Sequence, residues 1–351
     1  MDNGKIAYKN CWLTLNHACN LNCKWCYAKD TGYLKSDDMS LDMAYDIIDI
    51  CHDLSINHIT LIGGEPTIYP HLFDVIDYAQ KWNIHCGIVS NGIRYADERF
   101  VKKLVERGIK SVSISLKGEN ETSFYSTTGV NAFSVICNAV KALRKYGMRV
   151  SVSMVLSEEN IETFLEGIKT MKELGVDRFH LSFCYEFDVF QKNAISLNPH
   201  KVINLFVKNY SKLDAITDGK FELFQPFPLC IWDPDFINMM AKKGQISTVC
   251  QLLQRSGLIF DPNGTLIPCN SMYSIKLGKL YKDFCSSEDL IRYVNQDFIK
   301  QIYDQLCSVP DDVCLSCDKY ENCGGGCVCQ WTKYSFQELM NMKDVNNGQR
   351  N

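Results

Sequence analysis

The 351-residue sequence has no run of about 18 apolar residues, so it offers no membrane-spanning helix. It has no excess of positive charge: 37 Lys and Arg stand against 41 Asp and Glu, a net charge of −4. That leaves no basic field to attract nucleic acid. Low-complexity tracts are missing, and so is any repeat of about 20–50 residues, which excludes solenoids and arrays. The first residues, Met1-Asp2-Asn3-Gly4-Lys5, lack the apolar segment of an export signal. The expected compartment is therefore the cytoplasm. With 46% apolar and 22% charged residues, collagen-like, disordered and coiled-coil chains are excluded. The length allows two or three domains.

Cysteine is the residue in excess. There are eighteen, ten of them in residues 230–351 and eight in residues 1–229. Disulfides are rare in the cytosol, where clustered cysteines point to metal or redox chemistry.

Strand-like and helix-like segments alternate along the first half. The strands are expected at Cys11–Leu15, His58–Ile62, Ile84–Val89, Ser111–Leu116, Arg149–Leu156 and Arg178–Phe183. Helical spacing marks Leu41–Leu54, Leu72–Trp82, Glu98–Arg107, Phe133–Tyr146, Ile161–Leu174 and residues 199–213. Glu121–Gly129 reads as a polar loop. The pattern predicts an α/β fold of parallel strands with helical crossovers, either an open doubly wound sheet or a partial barrel. In both, chemistry gathers at the carboxyl ends of the strands. From Cys230 the alternation stops, which puts a boundary near residues 215–230.

The loop after the first strand reads Cys19-Asn-Leu-Asn-Cys23-Lys-Trp-Cys26-Tyr27. Three thiols in a short polar loop suit one compact metal centre. A structural zinc site takes four protein ligands, whereas a [4Fe–4S] cluster held by three cysteines keeps one iron open. The second strand runs into Gly63-Gly64-Glu65-Pro66-Thr67, whose glycines let a ligand approach the main chain.

CxxxCxxC after strand one and GGEP after strand two together resemble the radical S-adenosylmethionine (SAM) superfamily, over roughly residues 8–190. The resemblance implies a partial (β/α)6 TIM-type barrel. It implies that Cys19, Cys23 and Cys26 bind a [4Fe–4S] cluster whose open iron is chelated by SAM. One electron then cleaves SAM to methionine and a 5′-deoxyadenosyl radical, which abstracts a hydrogen atom from the substrate. By the same resemblance Gly63, Gly64 and Glu65 receive the SAM amino group and Tyr27 lies near the adenine. Ser90, Asn91, Ser115 and Lys117 match ribose and carboxylate contacts. Related enzymes often have an acidic residue where this chain has Lys117, so Lys117 either binds the SAM carboxylate or is a surface lysine.

Two cysteine patterns follow. The first is Cys250, thirteen residues, Gly264, four residues, Cys269. The second is Cys314-x2-Cys317-x5-Cys323-x3-Cys327, then Cys329, with Gly324-Gly325-Gly326 as a flexible loop around a bulky centre. Zinc is the competing reading of a CxxC knuckle. The combined pattern resembles the small Cys-rich SPASM domain that follows many radical SAM cores and holds one or two auxiliary [4Fe–4S] clusters. The resemblance assigns Cys250, Cys269 and Cys327 to one and Cys314, Cys317 and Cys323 to the other. The family usually has another cysteine downstream. Residues 330–351 contain none, which leaves Cys329 as a substitute and Cys230 either completing the first cluster or lying near the substrate.

The expected organisation is a core at 8–215, a SPASM domain at 216–340 and a polar tail at 341–351. Cys184 ends the sixth strand, where a thiol would return a hydrogen atom to a substrate radical or touch the substrate. Cys51, Cys86 and Cys137 read as core, and Cys11, Cys285 and Cys307 as structural. The resemblance implies a peptide-modifying maturase that cross-links or epimerises residues. Strand one begins by residue 8, so a leader peptide would bind elsewhere or through a separate protein. An electron donor such as flavodoxin or ferredoxin is expected, in an anaerobic or microaerobic cytoplasm. The alternative is a small-molecule dehydrogenase or epimerase acting on a sugar, aminocyclitol or tetrapyrrole. A cluster-bearing electron carrier without SAM chemistry is the third reading.

Overall fold

The computed structural model describes residues 8–28, 33–184, 198–332 and 335–345. The start of the chain and residues 346–351 of the expected tail lie outside them. Among the described residues no helix is long and apolar enough to cross a membrane.

The first half alternates strand and helix. It runs β1 (Asn10–Thr14), α1 (Leu41–Asp53), β2 (His58–Ile62), α2 (Leu72–Lys81), β3 (His85–Ser90), α3 (Glu98–Glu106) and β4 (Ser111–Leu116). It continues with α4 (Glu121–Thr128), α5 (Phe133–Lys145), β5 (Arg149–Leu156), α6 (Phe164–Glu173) and β6 (Arg178–Phe183). Strands β1 to β6 are parallel and lie side by side in sequence order. A doubly wound sheet reverses its order part-way. This one does not, so the fold is the partial TIM-type barrel. The sequence also explains the faces. In β4, β5 and β6 buried apolar residues alternate with half-buried ones, among them Ser113, Ser115, Ser151, Ser153, His180 and Ser182. One face packs under the helices and the other is polar.

The polar segment 121–128 is helix α4, not a loop. Asn120 and Ser123 form a reciprocal capping box at its start, and Gly129 ends it in the left-handed conformation (φ 75°). Its Ser and Thr residues mask the helix in the sequence because they favour caps and turns. Their cost is offset by this cap.

The alternation does not stop at residue 230. Helix α7 (Pro199–Thr217) leads to β7 (Phe221–Phe224), α8 (Pro234–Lys242) and β8 (Ile246–Ser247), and β7 and β8 extend the sheet beyond β6. After α9 (Gln251–Gln254), β9 (Gly257–Phe260) returns to pair in parallel with β1, Cys11 opposite Leu258 and Leu13 opposite Phe260. Strands β10 (Thr265–Leu266) and β11 (Gly278–Lys279) follow antiparallel. Among the described residues the sheet thus has eleven strands, with additions from the second half on both edges. Strands β7, β8 and β11 were hidden because two- to four-residue strands carry no measurable period, whereas β9 and β10 flank Asp261-Pro262-Asn263-Gly264, a hairpin signal in the sequence. The chain closes with α10 (Ser287–Val294), α11 (Asp297–Leu306), α12 (Tyr320–Cys323) and α13 (Phe336–Val345). Helix α13 runs through the expected boundary at residue 341.

Candidate functional site

The strand ends of β1 to β5 surround one cavity of about 250 Å³. Cys19, Cys23, Cys26, Tyr27, Gly63, Gly64, Glu65, Ser90, Asn91, Ser115 and Lys117 all line it. Trp12, Trp25 and Asn270 are further wall residues that the sequence did not single out.

Glycine is required at 63 and 64 by the chain's own backbone. A Cβ on Gly64 would lie 2.4 Å from the Ala18 carbonyl oxygen and 2.5 Å from that of His17. One on Gly63 would strike the Asn16 side chain. The loop after β2 can therefore lie against the loop after β1, with Gly64 N–H donating to Asn16 O and Glu65 N–H to Ala18 O, both 2.8 Å.

Glu65 locks the next strand end to this pair. It is 1% exposed. Its Oε1 accepts from Thr67 N–H (3.0 Å), Thr67 Oγ1 (2.6 Å) and Ser90 Oγ (2.8 Å), and its Oε2 from Asn91 N–H (2.7 Å). Three of the four donors meet Oε1 and one meets Oε2, and Glu65 shapes the wall it lines. Asn91 Nδ2 in turn donates to Asn20 Oδ1 (2.6 Å) in the cysteine loop.

The cysteine loop also rests on α4. Asn22 N–H donates to Thr128 O (3.0 Å) and Lys24 N–H to Thr127 O (2.9 Å). Cys19 Sγ accepts from Leu21 N–H (3.4 Å). Burial pushes the Cys19 thiol up to about 11, with Glu65 and the thiols of Cys23 and Cys26 adding to it. Tyr27 is raised by burial and by Cys26, Cys19 and Cys269 around it. Lys117 Nζ donates to Ser115 Oγ (3.0 Å) and is the cation of the wall. Ser153 Oγ sits 3.4 Å from Ser115 Oγ; neither it nor Ser182 lines the cavity.

Cys184 is not brought to the cavity. It is 3% exposed in the apolar core, its N–H bonded to Leu156 O (2.8 Å).

The C-terminal cysteines fall into two sets. Cys250, Cys269, Cys327 and Cys329 gather around Leu252 and Met272, with Cys307 beside them. The Cys327 and Cys329 thiols are hydrogen-bonded, which lowers Cys327 and raises Cys329. Asn270, next to Cys269, joins this set to the cavity. The other set is Cys314, Cys317 and Cys323, with Cys230 beside them. The turn Leu229–Ile231, which carries Cys230, is held against this second set by Leu229 N–H to Cys323 Sγ (3.3 Å). Gly324, Gly325 and Gly326 adopt φ of 57°, 78° and 77°. Gln330 Nε2 and Trp331 Nε1 both donate to Gly325 O (2.7 and 3.0 Å). The expected flexible loop is a pinned one.

No three His, Cys, Asp or Glu side chains among the described residues are placed to hold a single metal ion. The cavity wall also contains a buried donor, Trp25 Nε1, with no hydrogen-bond partner. Three thiols, close-lying backbone and an unpartnered donor fit a cluster with a polar ligand beside it.

Residues 13–170 match the Radical SAM superfamily. The AdoMet-dependent heme synthase of Methanosarcina barkeri is 27% identical over 170 residues, 48% of this chain and 48% of that protein. The PqqA peptide cyclase of Streptomyces rochei is 24% identical over 187 residues, 53% of this chain and 51% of that protein. The chain spans about half the length of these curated relatives. Among solved structures, Streptococcus suis SuiB bound to its precursor peptide SuiA superposes with a TM-score of 0.72. The two are 18% identical, over 95% of this chain and 74% of SuiB. What they share is the fold.

Proposed function

We propose that this protein is a radical SAM enzyme that modifies a peptide, with auxiliary iron–sulfur centres in its cysteine-rich second half. When bound, a [4Fe–4S] cluster with one iron free of protein ligands supplies the electron for reductive cleavage of SAM and hydrogen abstraction from the substrate. The observation that carries the reading is the meeting of Cys19, Cys23, Cys26 and the strand-end residues of β2, β3 and β4 at one cavity.

The chain's residues have separable tasks. Cys19, Cys23 and Cys26 hold the cluster. Gly63 and Gly64 keep main chain close to the ligand, and Glu65 holds Ser90 and Asn91 in place. Lys117 offers its ammonium to a carboxylate, and Trp25 Nε1 offers a hydrogen bond. Tyr27, between the cavity and Cys269, shields the site from water. The peptide reading draws on PqqA peptide cyclase among the relatives and on the fold shared with SuiB. The second-half cysteines are read as two auxiliary centres.

Anaerobic reconstitution followed by reduction in the presence of SAM tests the activity. 5′-Deoxyadenosine should accumulate, and the Cys19→Ala/Cys23→Ala/Cys26→Ala variant should form none. Equal formation by that variant would overturn the proposal.

A further inference from the structure

We propose that Cys230 is the fourth thiolate of the centre formed by Cys314, Cys317 and Cys323, closing it from the barrel side. This rests on the reading of the second half as a carrier of iron–sulfur centres.

The three cysteines are wound around one point by successive turns. Cys317 N–H donates to Cys314 O (3.3 Å), Tyr320 N–H to Cys317 O (3.1 Å) and Cys323 N–H to Lys319 O (2.8 Å). Segment 226–231 lies against this group. Leu229 N–H donates to Cys323 Sγ (3.3 Å), one residue before Cys230. The two backbones touch: a Cβ on Gly326 would lie 3.0 Å from both Pro226 O and Pro228 N.

The segment is also rigid. Trp232 Nε1 donates to Phe227 O (3.2 Å), and Phe227 stacks on Phe183 at 4.8 Å. Cys230 is therefore presented from a turn anchored at the end of β6. Ligation costs the thiol its proton, released to solvent, and involves no change of redox state. Four thiolates leave no iron open, so this centre would pass electrons and bind no substrate.

Alkylation of the full-length chain by iodoacetamide, read by peptide mass spectrometry, tests this. Without iron, Cys230, Cys317 and Cys285, all exposed, should label. After anaerobic reconstitution with iron and sulfide, Cys230 should be protected together with Cys314, Cys317 and Cys323, while Cys285 still labels. Protection of those three with undiminished labelling of Cys230 would overturn the inference alone. Labelling of all four would overturn it together with the centre. In a second test, made in the Cys19→Ala/Cys23→Ala/Cys26→Ala background to remove the N-terminal centre and its open iron, mild oxidation after adding Cys230→Ala should yield a three-iron electron paramagnetic resonance signal that the background protein lacks. Identical spectra would contradict the assignment.

Discussion

Glu65 is the residue on which the geometry of the cavity turns, because a single buried carboxylate ties the loops after β2 and β3 through four donors. Glu65→Gln keeps the shape but replaces an acceptor with an NH2 group facing donors. It should cost about 1–3 kcal/mol, the penalty for leaving buried polar groups unpaired. Chemical denaturation of the metal-free protein measures it, and an unchanged midpoint would show that the hub is dispensable. The sequence made Glu65 visible as part of GGEP but not its task. Its donors on Ser90 and Asn91 lie one strand away, and only the pairing of β2 with β3 brings them together. Gly63 and Gly64 were legible as a close approach. That the approaching group is the Asn16–Ala18 backbone depends likewise on β1 lying beside β2.

The six core strands and six of their accompanying helices were legible at the scale of elements, because each carries a period long enough to recognise. Helix α4 was not. Its sequence is short and rich in Ser and Thr, and its evidence is a cap, which is a contact rather than a period. Yet the last turn of α4 carries the cysteine loop through Thr127 O and Thr128 O. Asn120→Ala removes the cap and should lower stability by about 1 kcal/mol. It should also speed iron loss from the N-terminal centre relative to the unaltered protein, followed as chelator-induced bleaching. Stability lost with no change in bleaching would show that the cysteine loop does not depend on α4.

The second half is woven into the first at the scale of the whole molecule. Strand β9 covers the outer edge of β1, β7 covers that of β6, and Tyr33 donates to Asp261 from across the chain. A fragment of residues 8–215 would bare both sheet edges, which invites aggregation. It should show no cooperative thermal transition, whereas the full chain should unfold in one. A fragment that melts cooperatively would contradict this interdependence. The cysteine spacing made the two sets of second-half cysteines legible, but not the place of Cys230. Cys230 lies 84 residues before Cys314 in the chain, and only the folded turn at Leu229–Ile231 sets its neighbour Leu229 against Cys323. The central claim is that the centre held by Cys19, Cys23 and Cys26 keeps one iron for SAM. Electron paramagnetic resonance of the reduced, reconstituted protein with and without SAM tests it most directly. SAM should change the spectrum of that centre, and the change should vanish in the Cys19→Ala/Cys23→Ala/Cys26→Ala variant. A spectrum indifferent to SAM would contradict the account.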